Sequence, residues 1–334
     1  MGAKREALEG ISTMKVSIVL ATYNGERYLQ EQLNSFLDQT RLPDEIIVCD
    51  DCSTDRTMDI VESFAKSAPF GVHVYRNAIN LGYSKNFERA ISLCSGDVIF
   101  LSDQDDVWFP EKIEVVLNTF RSKKGALVVI NDAVLTDEHL NSSKLTVIDQ
   151  ALSAGFTTDN FVQGSCTAFK AELLPFILPI PHDYLSHDSW IHKLSITLKS
   201  RIVISQPLQF YRRHGENTSN WFVNRTERVT VFDKIRHYNK GDSNIACMQR
   251  MEVLRILYER LSNNRDEVIK IIGSDFELDG ILSNIKREQN AIERRLTLLN
   301  KKRFLRPFLA CSMFLNGDYR YFSGWMSFVK DLLK

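Results

Sequence analysis

Three aspartates crowd the end of an apolar run. Asp103, Asp105 and Asp106 closely follow the apolar residues 98–101. Two carboxylates about 5 Å apart repel each other by roughly 3 kcal/mol at an effective dielectric of about 20, so the crowding calls for a partner. Mg²⁺ and Mn²⁺ prefer such hard oxygen ligands and bind substrate phosphates at the same time. The alternative is a solvated acidic turn before the helix that starts at Pro110.

A second acidic pair ends another apolar run. Asp50 or Asp51 could accept a hydrogen bond from the N–H of a nucleotide base, and Tyr23, after the first apolar run, could stack on that base. Cys49 and Cys52 bracket the pair, but no second cysteine pair or histidine cluster completes a zinc site. We therefore expect these thiols to be structural and reduced.

Several common phosphate and hydrolase motifs are missing from the sequence. It contains no G-x-G-x-x-G, no G-x-x-x-x-G-K-[ST], no H-E-x-x-H and no G-x-S-x-G. A bound phosphate would therefore be held by a metal ion rather than by a glycine-rich loop.

The first third of the chain alternates between strand and helix patterns. Strands are predicted at 15–23, 45–50, 72–77 and 97–102, and helices at 28–39, 57–66 and 83–94. This alternation predicts an α/β fold with a parallel, doubly wound sheet, in which ligands bind at the carboxyl ends of the strands. The polar clusters lie at those ends: Thr22, Tyr23, Asn24, Asp50, Asp51, Asn80, Asp103, Gln104, Asp105 and Asp106.

The pattern loosens after residue 110. A helix is predicted at 111–120 and a strand at 126–132, whereas 133–162 look polar and irregular. Further segments follow at 161–170, 187–198 and 201–214, and helical periodicity dominates from about 222. We therefore predict a tail at 1–14, a catalytic domain at 15–221 and a mainly helical region at 222–334.

The bulk composition is that of a soluble globular protein. The 334 residues include 42 Lys or Arg and 42 Asp or Glu, so charge gives no reason to expect a nucleic-acid partner. The N-terminus lacks the apolar core of a signal peptide, and no run approaches 18 apolar residues. We expect a cytoplasmic location, or one at the inner face of the cell membrane.

Several motifs, in order, resemble one known family. The stretches 17–40, 44–57 and 100–108 look like the nucleotide-sugar half of family 2 glycosyltransferases of GT-A fold, and nearest to their rhamnosyltransferase-like branch. The similarity continues through "NLGYSKNF", "QGSCTAF", "HDSWIHKL" and "YRRHGENTS", and so covers about residues 15–220.

The resemblance implies roles for individual residues. Base and ribose would be held by Thr22, Tyr23 and Asp51, with Asp50 beside them, while Asp103 would face the ribose and Asp105 the metal. Asp188 stands where the family has its catalytic carboxylate, preceded here by His187, and His214 matches a late histidine that reaches the metal or diphosphate. The remaining candidates for the nucleotide-sugar site are Asn24, Asn80, Lys85, Gln104, Gln163, Gly164 and Ser165.

The implied reaction is sugar transfer with inversion. Asp188 would act as general base for the acceptor hydroxyl, and Mg²⁺ or Mn²⁺ would assist the departing diphosphate. The first expectation for the donor is dTDP-rhamnose, with a UDP-sugar as alternative, and the acceptor would be a glycan or a lipid-linked oligosaccharide of cell-surface polysaccharide synthesis. A Mg²⁺-dependent phosphotransfer or phosphoacceptor protein and a catalytically silent sugar-nucleotide-binding protein are the rival classes.

The C-terminal third is basic and then aromatic. Residues 283–306 hold eight Lys or Arg against two acidic residues, and aromatic segments follow. Such a region either lies on an anionic membrane surface or packs its aromatics on the catalytic domain. A homo-oligomer is equally compatible with the sequence.

Overall fold

The computed structural model describes residues 14–158, 161–217, 222–230, 232–233, 244–273 and 277–333. The chain divides into two compact units, one made of residues 1–182 and 186–234 and the other of residues 183–185 and 235–334. Most of the predicted tail, and the last two residues of the motif "YRRHGENTS", lie outside the described residues.

The first half of the larger unit is the predicted alternation of strands and helices. Its elements are β1 (Val16–Thr22), α1 (Leu29–Leu37), β2 (Glu45–Asp50), α2 (Thr57–Ser67), β3 (Gly71–Arg76), α3 (Tyr83–Ser92) and β4 (Val98–Ser102). The four strands are parallel in the order β3-β2-β1-β4. Every side chain of β4 is buried, as expected for a parallel strand covered on both faces.

The second half extends the same sheet with mixed pairing. It consists of β5 (Val107–Trp108), α4 (Lys112–Ser122), β6 (Val128–Thr136), β7 (Ser142–Thr146), α5 (Val147–Ser153), β8 (Thr167–Lys170), α6 (Leu174–Ile177), α7 (His187–Thr197) and β9 (Arg201–Arg212). Beyond β4 the order is β8-β6-β9-β5, and β7 pairs with β6. Strand β8 runs antiparallel to both of its neighbours, whereas β6 and β9 are parallel.

The prediction of an irregular segment at 133–162 was wrong. Strand β6 continues to Thr136, and β7 and α5 follow. Because β7 pairs with β6 alone, its side chains stay partly exposed, and it lacks the apolar run of a central strand. Helix α5 begins at a local cap, where the Thr146 hydroxyl accepts a hydrogen bond from the backbone N–H of Asp149 at 3.1 Å.

The smaller unit is helical where it is described, in agreement with the predicted periodicity. Its helices are α8 (Asn244–Asn263), α9 (Arg265–Ile272), α10 (Leu278–Asn300), α11 (Arg306–Leu315) and α12 (Trp325–Leu333). Leu298, Ala310, Met313 and Tyr319 form a small core. Among the described helices, none combines the length and the apolar character needed to cross a membrane.

Candidate active site

The acidic residues after β4 do not share one environment. Within the described chain, no hydrogen bond or ion pair satisfies the carboxylate of Asp103. Burial, and then the neighbouring Asp105, Asp106 and Asp188, raise the pKa of Asp103 well above its usual range. Negative charge is thus concentrated at this point of the sheet edge, and a bound cation would relieve it.

Asp105 lies against the loop that follows β9. Its Oδ2 is 2.7 Å from Nε2 of His214 and accepts a hydrogen bond from Nδ2 of Asn217 at 3.1 Å. The backbone carbonyl of Asp105 accepts a hydrogen bond from Nε of Arg212 at 2.8 Å. The structure therefore brings together Asp105 and His214, which the sequence places 109 positions apart.

Asp106 belongs to a buried polar network that the sequence did not reveal. Its Oδ2 accepts a hydrogen bond from Nε2 of Gln209 at 2.7 Å, and Nζ of Lys112 donates to the carbonyl of Ser165 at 2.9 Å and to the side chain of Gln209. Burial, and next Asp105, raise the pKa of Asp106 to about 7, whereas burial lowers the pKa of Lys112 to about 8. This network ties the end of β4 to the loop that contains Ser165.

Asp50 is fully engaged within the protein. Its carboxylate accepts hydrogen bonds from the Thr22 hydroxyl at 3.1 Å and from the backbone N–H of Ser53 at 2.9 Å, and Nε of Arg76 lies 3.6 Å away. Thr22 and Asp50 are both buried. The pair therefore joins the carboxyl ends of β1 and β2 and supports the residues around it.

Asp51 holds the loop that leads into α3. Its carboxylate accepts hydrogen bonds from the backbone N–H groups of Leu81 at 2.7 Å and Gly82 at 2.8 Å, and its carbonyl accepts one from Nδ2 of Asn80 at 3.1 Å. Cys52, next in the chain, is a free thiol with a left-handed φ of 66°. Burial raises the pKa of the other thiol of this motif, Cys49, to about 11, in accord with an inert structural role.

Hydrogen bonds between Tyr23 and Gln104 connect the ends of β1 and β4. The backbone N–H of Tyr23 donates to Oε1 of Gln104 at 2.9 Å, and Nε2 of Gln104 donates back to the Tyr23 carbonyl at 3.0 Å. A Cβ at Gly25 would collide with Oε1 of Gln104, so a side chain there would displace that amide from Tyr23. The Tyr23 ring remains exposed, whereas Asn24 uses its Oδ1 to accept a hydrogen bond from the backbone N–H of Thr54 at 2.8 Å.

Asp188 lies in the first turn of α7, facing the loop at 163–165. Its Oδ1 accepts hydrogen bonds from the Ser186 hydroxyl at 2.5 Å and the Ser189 backbone N–H at 2.7 Å. Burial acts to raise the pKa of Asp188, but His187 and these hydrogen bonds outweigh burial, and the pKa lies below its usual range. A Cβ at Gly164 would lie only 3.5 Å from Oδ2 of Asp188, so the absence of a side chain there leaves space beside this oxygen.

His187 is buried without hydrogen-bond partners for its ring. Within the described residues neither ring nitrogen has a partner, and the ring stacks on Phe87 with centroids 4.0 Å apart. Burial lowers the pKa of His187, which favours the neutral imidazole. Gln163 and Ser165 are also buried, whereas Lys85 is exposed on α3.

The described residues contain no preformed cage of three or more His, Cys, Asp or Glu for a metal ion. This arrangement still suits Mg²⁺ or Mn²⁺, which bind proteins through one or two carboxylates and take further ligands from substrate phosphates and water. The unpaired carboxylate of Asp103 fits such a ligand.

Several known proteins similar to this chain are glycosyltransferases. Residues 17–174 match the sequence model of glycosyl transferase family 2. The dTDP-rhamnosyl transferase RfbG of Shigella flexneri is 30% identical over 218 residues, which cover 59% of this chain and 72% of RfbG. An uncharacterized glycosyltransferase of Nostoc, alr2836, is 29% identical over 218 residues, or 61% of this chain and 66% of that protein.

A solved structure shares the fold. The crystal structure of S. aureus TarS 1-349 in complex with UDP-GlcNAc superposes with a TM-score of 0.51 at 18% sequence identity, over 94% of this chain and 92% of that one. The protein is a glycosyltransferase and belongs to family 2. Its fold is the GT-A fold that the sequence motifs implied.

Proposed function

We propose that this enzyme transfers L-rhamnose from dTDP-rhamnose, with inversion, to a glycan or lipid-linked oligosaccharide of a bacterial surface polysaccharide. The observation that carries the mechanism is the acidic cluster after β4, where the carboxylate of Asp103 has no hydrogen bond or ion pair within the described residues and Asp105 contacts His214 at 2.7 Å. The similarity to a dTDP-rhamnosyl transferase supports the choice of donor. The similarity to TuaG, a putative teichuronic acid biosynthesis glycosyltransferase of Bacillus subtilis that is 28% identical over 143 residues, supports the class of product.

A UDP-sugar is the second candidate donor. TarS, which shares the fold, was crystallised with UDP and with UDP-GlcNAc. Uracil and thymine present the same N3–H and O4 edge, so a carboxylate such as Asp51 accepts a hydrogen bond equally from either base. The exposed ring of Tyr23 offers a stacking surface for both.

Asp103, Asp105 and His214 would hold the divalent ion. When bound, Mg²⁺ or Mn²⁺ would neutralise the negative charge that develops on the departing diphosphate. Asp103 and Asp105 supply the hard oxygen ligands, and His214 lies beside Asp105. The buried side chain of Arg212 underlies this group and fixes the backbone of Asp105.

Asp188 would take the proton from the acceptor hydroxyl. A general base must be ionised before the reaction, and the lowered pKa of Asp188 keeps it so at neutral pH. Ser186 and Ser189 fix Oδ1, which leaves Oδ2 for the hydroxyl at the space beside Gly164. Attack by that hydroxyl on the anomeric carbon, with loss of the nucleoside diphosphate from the opposite face, inverts the configuration.

The other candidate residues would shape the donor site. Gln163 and Ser165, on either side of Gly164, place their loop beside the donor sugar, and His187 would offer a ring nitrogen to it. The nucleoside end would be contacted by Tyr23, Asn24, Asp51, Asn80 and Gln104, with Lys85 available to the diphosphate. The buried pair Thr22 and Asp50 would support these residues.

A thermal-shift screen of nucleotide sugars tests this proposal. A ligand that binds the folded protein stabilises it by RT ln(1 + [L]/Kd). We expect dTDP-rhamnose to raise the melting temperature more than UDP-GlcNAc, UDP-glucose or GDP-mannose, and to do so only with Mn²⁺ or Mg²⁺ present. Asp103→Asn should lose the metal-dependent shift, whereas Asp59→Asn, an exposed aspartate on α2, should keep it.

The outcomes separate the alternatives. A larger shift with a UDP-sugar would replace the donor but keep the mechanism. Equal shifts in EDTA would refute metal dependence. No shift with any nucleotide sugar, together with stabilisation by a phosphoryl analogue such as beryllium fluoride, would favour the phosphoacceptor class instead.

A further inference from the structure

In the C-terminal segment the acidic side chains are buried, whereas Lys301, Lys302, Arg303 and Arg320 are exposed. Residues 301–334 contain seven Lys or Arg and two acidic residues, Asp318 and Asp331. Both acidic side chains are buried. Asp318 accepts two hydrogen bonds from Arg294, each at 2.7 Å, and Asp331 accepts hydrogen bonds from Arg295 at 2.9 and 3.2 Å. The charged surface of this segment is therefore basic.

Helix α11 and the turn before it present a stripe of exposed apolar side chains. Phe304, Phe308, Cys311 and Leu315 recur at spacings of three and four residues, which place them on one side of a helix. Phe308 is 75% exposed and Leu315 is 85% exposed. The opposite side is buried through Ala310 and Met313. A row of such exposed large apolar side chains indicates a binding surface.

Helix α12 presents a second stripe next to the first. Trp325, Val329 and Leu333 recur every four residues and are exposed, Trp325 by 69%. The two helices contact each other through Phe314 and Phe328, whose ring centroids are 4.5 Å apart. At the other end, Nη2 of Arg303 donates to the carbonyl of Leu333 at 3.4 Å. The stripes therefore belong to two neighbouring helices, and Lys301, Lys302 and Arg303 lie where the first of them begins.

We propose that this surface, the α11–α12 face, binds an anionic lipid bilayer. It is made of Lys301, Lys302, Arg303, Phe304, Phe308, Leu315, Trp325, Val329 and Leu333. Helices of this length span about 15 Å, half of the hydrocarbon core, so they lie in the plane of the interface. Apolar side chains enter the boundary between headgroups and acyl chains, and exposed lysines and arginines contact the anionic headgroups.

Charge argues against a second copy of the chain as the occupant. A symmetric dimer through the α11–α12 face would bring two basic surfaces together, since the acidic residues of this segment are buried and paired. An anionic bilayer complements both the charge and the apolar character. Binding of the α11–α12 face to a bilayer needs no sugar donor.

Vesicle co-sedimentation with the full-length protein tests this. We expect binding to vesicles of phosphatidylcholine with about 30 mole per cent phosphatidylglycerol, and little binding to phosphatidylcholine alone or at high salt. The double variant Lys301→Gln/Lys302→Gln should bind about tenfold more weakly or worse. Phe308→Ser/Leu315→Ser should weaken binding by a similar factor.

Matched variants control for general effects. Lys123→Gln/Lys124→Gln removes an adjacent exposed lysine pair of the other unit, and Ile245→Ser/Met248→Ser removes exposed apolar side chains from α8. Both should bind vesicles as the wild type does. The proposal is overturned if the wild type ignores anionic vesicles at low salt, if the α11–α12 variants bind unchanged, or if they alter only a concentration-dependent dimer seen by light scattering.

Discussion

Carboxylates in the two units differ in the partners that the fold gives them. In the helical unit, Asp318 and Asp331 each accept two hydrogen bonds from an arginine of α10, and the Tyr319 hydroxyl lies 3.2 Å from Oδ2 of Asp331. In the sheet unit, the half-buried carboxylate of Asp103 has no such hydrogen-bond partner within the described chain. Its charged neighbours are Asp105, Asp106 and Asp188, and Lys112 opposes them.

The difference distinguishes carboxylates that stabilise the fold from carboxylates that are available to a ligand. A buried charge costs several kcal/mol unless it is paired, so a chain that leaves one unpaired gives up stability at that point. Asp331 is paired directly with Arg295, whereas no hydrogen bond or ion pair holds the Asp103 carboxylate within the described residues, as expected when a ligand supplies the direct partner. Asp188 is intermediate, because one oxygen is fixed and the other faces the space at Gly164.

The largest expected effect is on catalysis at Asp188. Asp188→Asn keeps the shape but removes the base, so kcat should fall by about 10²- to 10⁴-fold. Donor affinity should stay within a few-fold, as measured by titration calorimetry with Mn²⁺. Asp183→Asn, an exposed neighbour, should keep wild-type turnover. Near-normal kcat in Asp188→Asn would remove this residue from the mechanism.

Breaking the buried ion pair between Asp331 and Arg295 should reduce stability rather than catalytic activity. Asp331→Asn replaces the carboxylate in a fully buried ion pair with Arg295 and should cost about 3–5 kcal/mol in the free energy of unfolding of the helical unit. Asp279→Asn breaks an exposed ion pair with Arg265 and should leave the free energy of unfolding close to that of the wild type. Denaturant titration followed by circular dichroism compares the two, and equal losses would contradict the distinction.

Replacing Asp103 should have the opposite effect on stability. Its pKa is raised in the folded state, so the folded protein binds a proton that the unfolded chain has released, and stability falls as pH rises above the ordinary carboxyl pKa of about 4. Asp103→Asn removes this cost and should raise the melting temperature of the metal-free protein at pH 8, but hardly at pH 4. Melting curves in EDTA at the two pH values measure this, and a destabilised variant at pH 8 would show that Asp103 is structurally satisfied.

The sequence predicted the parts of the fold that depend on local periodicity. Strands β1 to β4 and the helices between them are apolar runs and amphipathic repeats, and each was predicted within a few residues. Strand β7 was not predicted, because an edge strand with partly exposed side chains lacks an apolar run. The antiparallel position of β8 between β4 and β6 was not predicted, because tertiary contacts decide which strands pair.

The same limit applies to the candidate site. Acidic residues at strand ends are visible in the sequence, and the family motifs pointed to Asp188 and His214. Lys112 and Arg212 were missed, since a lysine in a helical pattern and an arginine near the end of a strand are usually solvated. Both side chains are buried next to the acidic cluster because β9 pairs with β6 in the sheet, which is a tertiary contact.

The most direct test of the central claim is anomalous diffraction from crystals grown with Mn²⁺ and dTDP or UDP. We expect a manganese peak beside Asp103 and Asp105, with the diphosphate of the nucleotide as a further ligand and the base near Tyr23 and Asp51. A nucleotide bound elsewhere, or one bound at this edge with no manganese next to these carboxylates, would contradict the assignment of the acidic cluster to a metal-held sugar donor.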